Sequence, residues 1–319
     1  MDISVIVPIY NVENYIERCL CSLFEQTKTD GVEFILVNDS TPDSSMQIAY
    51  TVIKQYPNLN IKVLEHTENK GVAVTRQTGM DVAIGDYTIQ IDSDDWCEPT
   101  MLEDLYGKAI ETGADMVCCD LFIDDKVVSV NVNVKDIFLS NAIMKRWLVF
   151  WNRLIKRSLY VDNSIKLDCS LKRGGDCLVL LKLYHYIKNE VYLPKAFVHY
   201  NIKNPMSLTF NSNGLIYDFI KIFELYNLFI KDKIISNEYS RIILNDKIKL
   251  KIMGLRQYRG EKQKEIVNSL TDIDSYILKS NLFPITTKIP YFFAIHGMLP
   301  IANLIFNLSD WYNRYRTNR

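Results

Sequence analysis

No G-x-G-x-x-G run follows the first apolar segment of this sequence, which argues against a dinucleotide-binding dehydrogenase. Its cysteines, Cys19, Cys21, Cys97, Cys118, Cys119, Cys169 and Cys177, include no C-x-x-C pair of the kind zinc sites use, and their odd number reads as reduced thiols. No apolar stretch is continuous enough for a spanning helix. The most apolar one, Ile289 to Phe306, is broken by His296, Asn303 and two prolines. With 37 Lys and Arg against 38 Asp and Glu there is no basic field for a nucleic acid. Neither a positive n-region nor a small-residue cleavage site precedes Ile3-Ser4-Val5-Ile6-Val7, so the expected compartment is the cytoplasm. Internal repeats and low-complexity tracts are also missing.

What is present is an ordinary globular composition, 48% hydrophobic over 319 residues, enough for one large or two modest domains. The first 120 residues alternate short apolar runs with helical periodicity, the pattern of parallel strands covered by helices. Strands are expected at Ile3 to Val7, Phe34 to Val37, Ile61 to Leu64, Tyr87 to Ile91 and Met116 to Cys118. Between them Ile16, Cys19, Leu20, Leu23 and Phe24 share one helical face, and further helices follow around Ile48 to Tyr56, Gly71 to Val82 and Met101 to Ile110. The alternation Val128, Val130, Val132, Val134 predicts a half-exposed antiparallel strand, so the sheet is mixed.

Beyond Asn213 the texture changes to long helical stretches rich in Ile, Lys, Tyr and Asn. A boundary is expected there, separating residues 1–212 from a helical region 213–319. From Leu215 onward 16 Lys and Arg face 10 Asp and Glu, so an acidic N-terminal part (−7) is joined to a basic C-terminal part (+6).

Two acidic clusters close predicted strands. Asp39 ends Phe34 to Asn38, and Asp92-Ser93-Asp94-Asp95 ends Tyr87 to Ile91. Open α/β sheets bind ligands at such strand ends. Three carboxylates in four residues repel one another and are most easily retained beside a cation; oxygen ligands favour magnesium or manganese, which also bridge a diphosphate. Capping of the helix after Glu98-Pro99 is the plainer alternative, but it accounts for one acid of the three.

Together these residues resemble a known family. Ile6-Val7-Pro8-Ile9-Tyr10-Asn11, Tyr15-Ile16, Cys19-Leu20, Ser22-Leu23, Gln26-Thr27, Val37-Asn38-Asp39-Ser40 and Asp92-Ser93-Asp94-Asp95 are similar to successive motifs of the family 2 inverting glycosyltransferases. The resemblance covers about residues 1 to 210. It implies a GT-A nucleotide-diphospho-sugar transferase fold, a mixed, mostly parallel sheet between helices, with residues 1–120 binding the nucleotide-sugar and 121–212 the acceptor and base part. It implies a UDP-sugar donor, a divalent metal (manganese or magnesium) and a saccharide acceptor, lipid-linked in many members, as in bacterial surface-polysaccharide synthesis. Pro8 and Tyr10 would line the base pocket, Asp39 accept from the uracil, Lys70 or Arg76 meet the diphosphate, Asp92 and Ser93 face the donor with Asp92 at the ribose, and Asp94, beside Asp92, hold the metal.

The family's base is the Asp of a Glu-Asp pair ahead of an apolar helix, downstream of a Trp-Asn segment. Here Trp151-Asn152-Arg153 resembles that segment, and the matching acid is Asp176 in Gly174-Gly175-Asp176-Cys177, with Gly175 where the family has Glu. An N-cap is the alternative role of Asp176. The missing Glu supports a competing reading, a non-catalytic relative that binds a nucleotide-sugar or glycan without turnover. His199, in Val198-His199-Tyr200-Asn201, reads as a packed, hydrogen-bonded side chain, and Lys203 stands in for the Arg found near there in the family.

At the C-terminal end, Trp311, Tyr312 and Tyr315 interleave with Arg314, Arg316 and Arg319, a composition suited to anionic headgroups on the inner face of the cytoplasmic membrane. Packing on the catalytic domain or on a second subunit is the alternative.

Overall fold

The computed structural model describes residues 1–130, 149–171, 173–205, 207, 215–231, 233, 237–279 and 283–317. The chain divides into two compact units, Met1–Ser212 and Asn213–Arg319.

The first unit is built on one mixed sheet. Strands β1 (Ile3–Ile9), β2 (Val32–Asn38), β3 (Asn60–Glu65) and β4 (Tyr87–Gln90) run parallel. They are followed in chain order by β5 (Trp96–Cys97), β6 (Met116–Ile123), β7 (Lys126–Val128), β8 (Arg153–Lys156) and β9 (Glu190–His199). The order across the sheet is β3-β2-β1-β4-β8-β6-β9-β5, with β7 paired to β6. Antiparallel pairings of β8 with β4 and β6 make the sheet mixed. The α/β arrangement expected from the sequence is present. Of the alternating valines, Val128 lies in β7 and Val130 is buried, while Val132 and Val134 lie outside the described residues.

Every residue of β1 is buried, as a central strand covered on both faces requires. Pro8 sits in this strand at no cost to the ladder. Ile6 accepts from the Ile91 amide, so Pro8, of the same parity, turns its donor-less nitrogen toward β4 where that strand has already ended. Strands β2 and β3 lie on one side of β1 and β4 on the other. The order therefore reverses between β1 and β4, the position where doubly wound sheets open a crevice at their carboxyl ends.

Among the described residues six helices accompany the sheet: α1 (Ile16–Phe24), α2 (Ser45–Ile53), α3 (Val72–Val82), α4 (Met101–Thr112), α5 (Ser158–Asp162) and α6 (Gly175–Leu183). Helix α3 lies directly on the sheet because Gly79 has no side chain; a Cβ there would stand 2.5 Å from Ile6 Cγ2. That contact sets the height of the preceding turn, which carries Arg76. The apolar side of α1 expected from its spacing, Ile16, Cys19, Leu20, Leu23 and Phe24, is buried.

The second unit is helical, with α7 (Leu215–Ile230), α8 (Asn237–Gln257), α9 (Glu261–Asn268), α10 (Asp274–Lys279), α11 (Ile285–Ile295) and α12 (Leu299–Thr317). Tyr226, Phe223, Tyr291 and Phe306 fill its core. Two buried cations are paired within it, Lys251 with Asp274 at 2.7 Å and Lys247 with Asp272 at 2.9 Å. No helix among the described residues is long and apolar enough to cross a membrane.

Candidate functional site

A cavity of about 500 Å³ opens at the strand-order reversal. Its wall takes Pro8 and Tyr10 from the end of β1, Asp39 from the end of β2, Arg76 from α3, Asp92, Ser93 and Asp94 after β4, and Asp176 from α6. Residues more than 160 apart in sequence thus share one wall, because strand ends and two helix starts converge there.

The acid run after β4 divides its work. Asp92 pairs with Arg76, whose Nη2 donates to Oδ1. Asp94 Oδ2 accepts from Asn204 Nδ2 at 2.7 Å, and burial followed by the repulsion of Asp92 pushes its carboxyl up to about 6. Asp95 turns inward, 1% exposed, and accepts from the Asn201 amide at 2.8 Å. Burial and the two neighbouring acids raise its carboxyl well above the usual range. None of the three caps the next helix, which starts at Met101 behind Thr100.

Asp176 lies in the first turn of α6 and is not its N-cap; that position belongs to Gly174, in the left-handed region at φ 73°. Its Oδ1 accepts from the Cys177 amide at 3.0 Å. Burial raises its carboxyl above the ordinary value, Arg76 pulls it back down, and Asp92 adds to the rise. Arg76 therefore acts on the strand-end acid and on the helix-start acid at once. Its Nε is buried without a hydrogen-bond partner among the described residues, a donor suited to an anionic ligand.

The carboxylates could supply a hard cation with only part of its ligand set. Among the described residues no three or more Asp, Glu, His or Cys side chains form a metal cage. Asp94, whose carboxyl burial and the repulsion of Asp92 raise, and Asp92 suit an ion that takes the rest of its ligands from a diphosphate and water, the usual habit of magnesium.

The sequence model of the family described as glycosyl transferase family 2 matches residues 4–170. The chain belongs to glycosyl transferase family 2. Among this family 2 chain's relatives is the poly(ribitol-phosphate) beta-N-acetylglucosaminyltransferase TarP of Staphylococcus aureus. It is 28% identical over 306 residues, which span 90% of this chain and 89% of TarP. Glycosyltransferase GlyA of Streptococcus pneumoniae is 30% identical over 221 residues, 63% of this chain and 30% of GlyA, so the match leaves most of that relative uncovered. The fold is that of Staphylococcus aureus TarS 1-349, solved in complex with UDP-GlcNAc. That structure superposes with a TM-score of 0.76 at 22% identity, covering 100% of this chain and 93% of that one.

Two residues expected at the donor in this family 2 chain make contacts that the sequence did not disclose. The Lys70 side chain is exposed and does not line the cavity; its backbone amide instead donates to Asp39 Oδ1 at 2.9 Å. Asp39, only 2% exposed, accepts in addition from the Gly71 amide at 2.8 Å and from His66 Nδ1 at 2.7 Å. It holds the 66–71 segment in place, and His66 Nε2 in turn reaches Thr78 Oγ1 at 3.0 Å. His66 was not singled out from the sequence. Its signal is positional: Asn38 pairs with Glu65, so the next residues, Asp39 and His66, leave their strands side by side.

His199 is packed and hydrogen-bonded, as the sequence reading favours. It stacks between Trp96 and Phe122 at centroid distances of 4.6 and 4.3 Å and meets Glu98 Oε1 at 2.7 Å. Lys203 pairs with Asp124 at 2.7 Å, at the surface. Two aromatics unnoticed in this role, Trp151 and Tyr200, line the cavity and stack at 5.3 Å. Gly175 lines it as well, and a Cβ there would meet only Leu167, at 4.0 Å.

Proposed function

We propose that the chain is an inverting glycosyltransferase that moves a hexosyl or N-acetylhexosaminyl unit from a UDP-sugar to a saccharide acceptor in bacterial surface-polysaccharide synthesis. The observation that carries this reading is the gathering of Asp92, Asp94 and Asp176 in one cavity, with Arg76 paired to Asp92 and acting on Asp176 as well. Two oppositely tasked acidic groups are what displacement of a diphosphate by a hydroxyl needs. The UDP-GlcNAc complex of TarS supports a UDP-sugar donor, since that protein shares the fold.

In this mechanism Tyr10, 44% exposed at the cavity mouth, and Pro8 pack against the uracil. Asp39, His66 and the amides of Lys70 and Gly71 hold the segment beside it. Asp92 orients the ribose while paired to Arg76, and the free Nε of Arg76 donates to a diphosphate oxygen. Asp176 takes the proton of the acceptor hydroxyl as its oxygen attacks the anomeric carbon from the face opposite the diphosphate. The new C–O bond forms as the sugar–phosphate bond breaks, UDP leaves, and the configuration inverts. Asp94, with Asp92, would hold manganese or magnesium, which when bound offsets charge on the departing diphosphate.

The acceptor is lipid-linked in this reading, which brings the chain to the inner face of the cytoplasmic membrane. The test is UDP release from a panel of UDP-sugars with manganese and saccharide acceptors, followed by the anomeric configuration of the product. Donor binding with no transfer to any acceptor would favour the non-catalytic relative suggested by Gly175, and a product with retained configuration would overturn the mechanism.

A further inference from the structure

Two neighbouring helices of the second unit carry apolar outer faces. Along α11, Thr287, Pro290, Tyr291 and Ala294 are buried, while Ile285, Ile289 and Phe292 are 65%, 43% and 43% exposed. Along α12, Ala302 and Phe306 are fully buried, while Ile301, Leu304 and Leu308 are 44%, 61% and 58% exposed. The spacings i, i+4, i+7 and i, i+3, i+7 keep each trio on one face of its helix. The two helices pack against each other. Single exposed apolar residues are ordinary, but six of them in two stripes on helices packed together make a surface that water solvates poorly.

The charge in the sequence of these two helices is one-sided. From Phe283 to Ser309 the sequence holds a single charged side chain, Lys288, and no acid. Asp310, which follows, is paired to Arg256 at 2.6 Å. Beyond it the sequence has Arg314, Arg316 and Arg319 among Trp311, Tyr312 and Tyr315, and from Leu215 onward basic residues exceed acidic ones by 6. A second copy of the chain would bring the same basic excess against this one. An anionic lipid surface offers hydrocarbon for the stripes and opposite charge for the flanks. Helix α11, 11 residues and so about 16 Å long, is half the thickness of a hydrocarbon core and suits lying in the interface plane.

We propose that this outer face of α11 and α12 docks onto an anionic lipid bilayer, with Ile285, Ile289, Phe292, Ile301, Leu304 and Leu308 entering the boundary between headgroups and acyl chains. The proposal deepens the transferase reading, because it sets the enzyme where a lipid-linked acceptor lies, but it stands on the second unit alone.

The full chain is sedimented with vesicles of phosphatidylcholine, with and without phosphatidylglycerol, at low and high salt, alongside Ile289→Glu and Leu304→Glu. Both positions are exposed, so the variants should keep the helical circular dichroism and melting temperature of the native chain. The expected result is binding that needs phosphatidylglycerol, weakens with salt and falls about tenfold or more in each variant, with UDP affinity unchanged. No sedimentation at low salt, equal binding to both vesicle types, or variants that bind as the native chain does would each overturn the proposal. A native oligomer that the variants dissociate, without change in vesicle binding, would assign the face to a second copy instead. UDP affinity and transfer to a soluble acceptor are measured on the same samples, so failure of the donor-site reading shows separately.

Discussion

Arg76 Nη2 donates to Asp92 Oδ1, and the same guanidinium holds down the carboxyl of Asp176. One cation on α3 therefore pairs with a strand-end acid and opposes the burial-driven rise of a helix-start acid within a common wall. Replacing Arg76 with Ala removes the opposing charge, so the pKa of Asp176 rises. The acid limb of the kcat/KM profile should then move to higher pH, with transfer at neutral pH down at least ~10-fold. Arg76→Lys keeps the charge but not the planar fork and should shift the limb less. An unmoved acid limb in Arg76→Ala would remove Arg76 from control of the base.

For Asp176 itself the informative change is to Asn, which keeps size and the oxygen that accepts from Cys177 but cannot take a proton. Transfer should fall by ~10²–10⁴-fold while UDP affinity and melting temperature persist. Near-normal transfer would shift attention to Asp95 or Asp168.

Asp94→Ala should abolish manganese-supported donor binding and leave the fold intact, measured by calorimetric titration of UDP with and without the ion. Full transfer by the native chain in excess chelator would sink the metal assignment.

A pH effect is expected far from the cavity. Asp246 on α8 is 6% exposed, burial pushes its carboxyl up to about 6, and its Oδ2 finds no partner among the described residues. Because the folded value lies above the ordinary one of 3.8, its stability contribution is fully present below about 4 and is lost as pH rises through about 6. Asp246→Asn should therefore raise Tm at pH 7.5, and the gain should vanish toward pH 4. An equal change at both pH values would contradict the assignment.

The parallel half of the fold was legible because buried strands are short apolar runs and their covering helices repeat at 3.6 residues. Acids standing directly after such runs, Asp39 and Asp92 to Asp95, disclosed the crevice for the same reason. What stayed hidden depends on contacts between distant segments. Nothing near Arg76 in sequence says that it pairs with Asp92, since that follows from the close approach of α3 at Gly79. The strand role of Arg153–Lys156 was hidden likewise, its four residues being too few and too mixed to show a period. The backbone contact of Lys70 was hidden too, because a cation beside a crevice suggests a side-chain role and says nothing of its amide, which meets Asp39.

Of the seven thiols only Cys169 is exposed; Cys21 is partly covered and the other five are buried, none of them in a disulfide. Cys169 lies two residues from Leu167 and two from Leu171, both in the cavity wall. The native chain thus carries a single readily accessible attachment point beside its own pocket. A maleimide dye placed there, with no engineered substitution, would serve as a fluorescent reporter of donor arrival and UDP departure.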